Sequence, residues 1–576
     1  MSSLTPDPNS PNGQPSCSSS HHDDSNSGGE SSTRRTYWRS LEDVRDTEEF
    51  RSWMHREFPT NADILDGEDR RQFMKVMGAS FALAGLGLAA CRRIPESHIV
   101  PYASRPAERI PGKAIMYASA CEVGGNGTGV LVRTYDARPI KLEGNPDHSI
   151  SLGGCEATTQ SAVLQVYDPH RSRFVMKDGE GSDAASFANV VNSDFLEKYA
   201  TTGGKGLAVL AEVSGSPSQS RLRSQFMQAY PEATWVDWDP ITGDSAREGV
   251  SAAMSSSYSA VPSLEKAKVI VCLDADPLMT HSASTKLARE WANNRRLNNP
   301  DPSKQELSRL YSFEGVLSGT GMAADDRVAM RSSKIIAVAS AIAQKMGVSN
   351  SALSAQQDSL QLEGHDLLVF EKMLEDLVSH KGESLVMAGE RQPAEVHALV
   401  ALINQKLQNN GVTVTYVVDE TEDRLKALRA LTSSMASGSV STLVMLGGNP
   451  AYTAPVDIDF TSALGQVKNS IHLSLYRNET SVVCNWHLPR SHWLEAWGDV
   501  TAFDGTKSIT QPTIMPMIPV PQKGWSSIEL LAELIGLEPR DGYSIVRATE
   551  MDRSATSGNT FERHWRTSLD KGFIEE

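Results

Sequence analysis

Six cysteines are the residues best suited to bind a metal or relay electrons: Cys17, Cys91, Cys121, Cys155, Cys272 and Cys484. No two of them form a CxxC pair, so no four-cysteine metal site is readable from their spacing. Nor do six in 576 residues make the dense framework of a small disulfide-stapled domain. A disulfide between Cys121 and Cys155 stays open, because sequence does not set their Cα separation. Between them lies Gly124-Gly125-Asn126-Gly127-Thr128-Gly129. It has the glycine content of a phosphate cradle, but Val130-Leu131-Val132 reads as a strand where a cradle needs a helix.

Two histidines, His487 and His492, stand among Trp486, Trp493 and Trp497. Pro489 separates them, which argues against a metal-binding pair on one helix face. They read as packed, hydrogen-bonded loop residues. Asp499 and Asp504 read as turn residues. The His21-His22-Asp23-Asp24 run sits in a tail rich in Ser, Asn, Pro and Gly and reads as solvated.

A different chemistry is written at Asp69–Cys91, DRRQFMKVMGASFALAGLGLAAC. The pair Arg70-Arg71 precedes Phe73, Met74 and Lys75, and Val76–Ala90 is then a 15-residue uncharged run. As a helix that run reaches only ~22 Å, short of a ~30 Å hydrocarbon core. It reads as the apolar region of a twin-arginine export signal. Leu88-Ala89-Ala90-Cys91 has the form of a lipobox, whose thiol would carry the lipid anchor. The signal lies unusually late, behind 69 residues.

These groups need a scaffold, and composition says which kinds the chain can build. At 39% hydrophobic and 22% charged residues, it can bury a core of several domains. A net charge of −16 argues against nucleic acid as a partner. Apolar runs predict buried strands at Gly206–Leu210, Trp235–Trp238, Val269–Leu273, Ser384–Ala388, Val412–Val418, Thr442–Leu446 and Ile471–Leu475. Helical periodicity falls between them, at Ser284–Asn294, Ser333–Met346, His365–His380 and Ala394–Gln408. The alternation predicts α/β architecture with Rossmann-like parallel-sheet units. Gly447-Gly448-Asn449-Pro450 then follows a strand at a sheet's carboxyl end, where such folds bind ligands; as a tight turn it needs none.

The expected layout is a disordered tail (1–36), an amphipathic segment (37–66), the signal with its lipobox-like end (67–91) and an extended linker (92–113). A small β-rich domain (114–180), two α/β units (181–350 and 351–480) and a C-terminal segment (481–576) complete it. The amphipathic segment reads equally as packing or as a docking handle, with Trp38, Leu41, Val44, Phe50 and Trp53 at helical spacing.

Asp136–His148, DARPIKLEGNPDH, closely resembles the strand-and-turn motif near the N-terminus of molybdopterin oxidoreductases. That family opens with C-x2-C-x3-C, the start of a 4Fe–4S site. In that register Cys121 stands at the first ligand place, Gly124 and Thr128 at the second and third, and Cys155 near the fourth. The resemblance therefore implies a vestigial cluster site in a small β-rich domain. Val269–Ser284, Leu443–Phe460 and Asn485–Pro512 resemble one branch, the molybdopterin-oxidoreductase-like half of the large iron–sulfur subunit of bacterial alternative complex III. That branch implies a non-catalytic scaffold with neither molybdenum nor a cluster of its own. Iron–sulfur clusters and heme c would sit in partner subunits: a ferredoxin-like protein, a multiheme cytochrome c and multi-spanning quinol-binding membrane proteins. The chain would lie at the periplasmic face of the inner membrane. Two alternatives are an active, divergent molybdopterin oxidoreductase and a standalone exported ligand-binding lipoprotein.

Overall fold

A computed structural model describes residues 45, 47–57, 110, 112–348, 360–419, 421–519 and 522–575. The tail, Trp38, Leu41, Val44, Arg70, Arg71 and Cys91 therefore lie outside the described residues. The chain divides into two compact units, Met1–Ala107 and Glu108–Glu576. In the first, the described part of the 37–66 segment holds one helix, Glu48–Glu57, on which Phe50 and Trp53 approach to 5.9 Å between ring centroids. Among the described residues, no helix is long and apolar enough to cross a membrane.

The second unit opens with three antiparallel strands: β1 (Ile115–Val123), β2 (Asn126–Tyr135) and β3 (Arg138–Gly144). Strands β2 and β3 form a hairpin, and a turn at 144–147 follows it. Short strands β4 (Met176–Lys177) and β5 (Glu180–Gly181) follow, then β6 (Leu207–Ala211) and β7 (Thr234–Asp237). Next come β8 (Tyr258–Pro262), β9 (Val269–Leu273), β10 (Arg309–Glu314), β11 (Asp326–Ala329), β12 (Ser384–Ala388) and β13 (Val414–Val418). The last are β14 (Thr442–Leu446), β15 (Asn469–Ser474), β16 (Trp486–Pro489), β17 (Gly498–Thr501) and β18 (Lys507–Thr510).

Two sheets dominate, ordered β5-β4-β16-β15-β14-β6-β7 and β11-β10-β9-β12. In the larger, β7, β6, β14, β15 and β16 run parallel; all of the smaller sheet does. Unbroken apolar strands are what a sheet covered on both faces requires. In β6 (LAVLA), Leu207 and Val209 face a core with Trp525 and Trp565, while Ala208 and Leu210 face Leu428 and Met435 on the other side. In β9, Val269 and Val271 likewise pack opposite to Ile270 and Cys272, so Cys272 serves as an apolar core residue.

The expected α/β class, molybdopterin-oxidoreductase-like with parallel sheets, is the one found. The sheets do not follow one another along the chain, however. The chain leaves the larger sheet after β7, builds β8 to β13, and returns at β14. Divisions at residues 180, 350 and 480 therefore do not separate sheets: β4, β5 and β16 all belong to the larger one. Val412–Val418 also differs from expectation. The strand begins at Val414 because the Asn409 carbonyl takes the N–H groups of Val412, Thr413 and Val414 in a turn. It pairs antiparallel with β8, outside both parallel sheets, and leaves Val417 and Val418 exposed.

The end of β3 lies against the loop leading to Cys155. A Cβ at Gly144 would fall 1.8 Å from the Gly154 carbonyl oxygen. Gly144→Ala is expected to cost about 1–3 kcal/mol, because backbone must move to admit it. The urea midpoint reads this directly.

Candidate functional site

The strand order of the larger sheet reverses between β6 and β14. From β6 the chain steps outward to β7, then returns to β14, β15 and β16 on the other side. Such a switch point leaves a crevice at the carboxyl ends of the strands, where open α/β sheets bind ligands. A cleft of about 310 Å³ lies there. Its lining includes Glu212 after β6, Asp239 beyond β7, Arg490 after β16, Glu122 of β1 and Asp499 of β17.

The polar contacts are specific. Glu122 Oε1 accepts from the Gly215 N–H at 2.6 Å. Arg490 Nη1 forms an ion pair with Glu212 Oε1, and Glu212 Oε2 accepts from the Gly448 N–H at 3.1 Å. Gly447, at φ +77°, passes so close that a Cβ would sit 2.3 Å from Glu212 Oε2. Asp499 Oδ1 accepts from Ser216 Oγ and, at 3.1 Å, from the Ser218 N–H; its Oδ2 accepts from Ser218 Oγ at 2.5 Å. Burial pushes Glu122 up to about 7, and raises Asp239 and Asp499 above the usual carboxylate range. Burial lowers Arg490, but the Glu212 charge and hydrogen bond outweigh it and hold the guanidinium above its ordinary value.

The cluster-like loop lies beside this cleft, and Gly124 lines it. Val123 and Asn126 pair across a two-residue turn in which Gly124 and Gly125 have φ of +56° and +77°. Both left-handed positions suit the primed turns that join twisted strands, which explains glycine at each. Cys121 then stands directly opposite Thr128 in the β1–β2 ladder. Cys121 is only 2% exposed, in a small core with Val130, Val132, Leu142 and Leu494, and half-buried Cys155 packs against that core. Both are free thiols. Burial pushes Cys121 up to about 12 and Cys155 up to about 11, so both stay protonated at neutral pH.

This donor set does not fit a 4Fe–4S cluster, which needs four thiolates. It offers two thiols, a glycine without a side chain, and a threonine whose place is taken by strand pairing. Among the described residues, no three His, Cys, Asp or Glu side chains stand close enough to hold a metal ion. An anionic pterin dinucleotide does not fit the cleft either. Arg490 is the only Lys or Arg among the described lining residues, against four carboxylates, Glu122, Glu212, Asp239 and Asp499.

Of the two histidines, His492 lines the cleft and His487 does not. His487 lies in β16, not in a loop, with Nε2 2.5 Å from Ser172 Oγ and Nδ1 3.0 Å from Ser481 Oγ. His492 follows β16 in a loop, and its Nδ1 accepts from the Leu494 N–H at 3.2 Å. Asp504 is a turn residue, its Oδ1 accepting from the Thr506 N–H at 3.2 Å. Asp499 is not: it lies in β17 and faces the N-terminus of the helix Pro217–Ala229. Glu122, Glu212, Asp239 and Arg490 carry no motif that marks them in the sequence. The available signal is position, since Glu212 and Arg490 directly follow apolar strands at their carboxyl ends.

Comparison with known proteins bears on the fold. The sequence matches no family model. It is 23% identical over 466 residues to the menaquinone reductase, molybdopterin-binding-like subunit, of Nitratidesulfovibrio vulgaris. The match covers 71% of this chain and 63% of that protein, so the chain spans less than two thirds of its relative's length. Acetylene hydratase from Pelobacter acetylenicus superposes with a TM-score of 0.53 at 10% identity, covering 77% of this chain and 71% of that one. The fold is molybdopterin-oxidoreductase-like. The superposition speaks to fold alone.

Proposed function

We propose that this chain is a non-catalytic scaffold subunit of a membrane-associated quinol oxidoreductase of the alternative complex III type. The reading is carried by one observation: the loop that would begin a cluster site is a tight two-glycine hairpin with two protonated thiols and no third ligand. Similarity to a menaquinone reductase subunit supports the link to quinone chemistry. The iron–sulfur clusters and heme c belong to partners, a ferredoxin-like subunit and a multiheme cytochrome c, beside multi-spanning quinol-binding subunits. A rigid body without redox groups has a physical role there, since electron transfer falls steeply with cofactor spacing. Arg70-Arg71 and the apolar run after them support export to the periplasmic face, with Cys91 as the acylated residue.

Metal analysis of the purified chain and of the complex recovered from gently solubilised membranes tests this. The expected result is iron only with the partners, and molybdenum and tungsten far below stoichiometric in the chain. Stoichiometric molybdenum or tungsten would overturn the proposal in favour of an active oxidoreductase. Recovery of a soluble monomer with no heme-bearing partner would overturn it in favour of a standalone protein.

A further inference from the structure

The crevice between β6 and β14 has the parts of an anion site. A parallel-sheet switch point brings together the N-terminus of a long helix, a glycine turn and an arginine, all able to hold phosphate oxygens. Donors of all three kinds already meet acceptors. In the helix Pro217–Ala229, Pro217 has no N–H to give. The Ser218 N–H donates to Asp499, and the Gln219 N–H donates to Ser216 Oγ at 3.0 Å. The first turn therefore has no donor left over. In the loop before it, the Gly215 N–H goes to Glu122. In the turn after β14, the Gly448 N–H goes to Glu212, which also holds Arg490.

Three carboxylates from three separate stretches thus occupy three sets of donors. Glu122 comes from the end of β1, Glu212 from the end of β6, and Asp499 from β17. The contacts are long-range: Gly215 lies 93 residues from Glu122, and Ser218 lies 281 from Asp499. Local turn preferences do not explain acids arriving from so far away.

We propose that the switch-point crevice is an anion site sealed from within, in which Glu122, Glu212 and Asp499 stand where the oxygens of a pyrophosphate-bearing ligand would otherwise bind. The seal rests on the reading of the chain as a scaffold without its own cofactor, and says how it is kept empty of anions. A phosphate approaching the donors meets carboxyl oxygens already bonded to them and would have to displace them. The same bonds tie β1, β6, β14 and β17 together, so the crevice keeps its shape without a ligand.

The test uses the purified full chain with inorganic pyrophosphate as the probe, followed by calorimetry and phosphorus NMR. Native chain is expected to show no saturable binding at millimolar pyrophosphate. The double variant Glu212→Gln with Asp499→Asn keeps side-chain shape but removes the ion-pair partner of Arg490 and the acid at the start of the helix. It should bind pyrophosphate at least tenfold more tightly than the native chain. The single variant Asp499→Asn carries the same test if the double variant does not fold, with circular dichroism and thermal melting as the check. Equal binding by native and variant chains would overturn the proposal, as would a folded variant that gains none. Metal analysis keeps the two readings apart. A chain free of molybdenum and tungsten whose folded variants gain no pyrophosphate binding refutes the seal alone.

Discussion

Replacing Glu495 with Ala is expected to lower the unfolding free energy by about 3–5 kcal/mol, read from urea denaturation at pH 7. Glu495 and Arg171 form a bidentate pair, Nη1 to Oε1 at 2.8 Å and Nη2 to Oε2 at 2.6 Å. Their side chains are 0% and 3% exposed. Glu495 also accepts from the backbone N–H groups of His492 and Met517, each at 3.0 Å. Arg171 Nη1 donates further to the Val166 carbonyl at 2.8 Å. The pair therefore joins the end of the helix Ala157–Tyr167 to the loop that carries Trp493 and walls the cleft. Removing the acid leaves a guanidinium buried without its counter-charge and two N–H groups without acceptors. Replacing both, as Arg171→Met with Glu495→Leu, should recover most of the loss, because desolvation offsets much of what a buried pair contributes. A loss under 1 kcal/mol for Glu495→Ala would show that the loop is held by other means. Burial raises the Glu495 carboxyl, but Arg171 and the backbone donors hold it below its ordinary value. Its contribution is present above the carboxylate range of the unfolded chain and is lost as pH falls from that range through the lower folded value.

The sheets are readable in the sequence because covered parallel strands are uniformly apolar. Val269–Leu273, Ser384–Ala388 and Thr442–Leu446 match their observed bounds. Arg309–Glu314 is not readable this way, since RLYSFE mixes charge with apolar groups; in the fold, Arg309 pairs with Asp326 at one end and Glu314 with Arg327 at the other. The cysteine loop is legible by register, but its geometry is not. Glycine at 124 looks like a lost ligand, and the fold shows it also meeting a left-handed turn. The cleft is least legible. Its residues come from the ends of β1, β6, β16 and β17, and an acid after a strand looks like any loop residue until strand order puts it at the switch point. Asp499 shows the difficulty most plainly: next to glycine it resembles a turn former, yet its partners are Ser216 and Ser218.

Acid should destabilise this protein through its buried histidines, with the raised Glu122 carboxyl acting in the opposite sense. His148, His397, His472, His487 and His492 are all buried. Burial lowers four of them to about 4, and burial together with the neighbouring His472 charge lowers His487 to about 3. Hydrogen bonding agrees with neutral rings. His148 Nδ1 accepts from the Ile150 N–H at 3.2 Å, as His492 Nδ1 does from Leu494, so a proton on either nitrogen would break an existing bond. His472 and His487 share Ser481 Oγ at 2.9 and 3.0 Å, where two imidazolium rings would repel. In the unfolded chain each ring titrates near 6.5. The folded values are depressed, so the unfolded chain binds more protons between about pH 6.5 and pH 4. Stability is therefore intact above about pH 6.5 and is lost as pH falls through that window. Each ring accounts for roughly 2 kcal/mol by pH 5, and the five together for a slope of about 6 kcal/mol per pH unit there. Urea midpoints from pH 7.5 to pH 5 measure it. A flat profile across that range would mean the rings titrate in the folded protein as they do in the unfolded chain. His148→Gln, which keeps a polar group against Ser508, should remove about a fifth of the slope, and an unchanged slope would assign the acid sensitivity elsewhere.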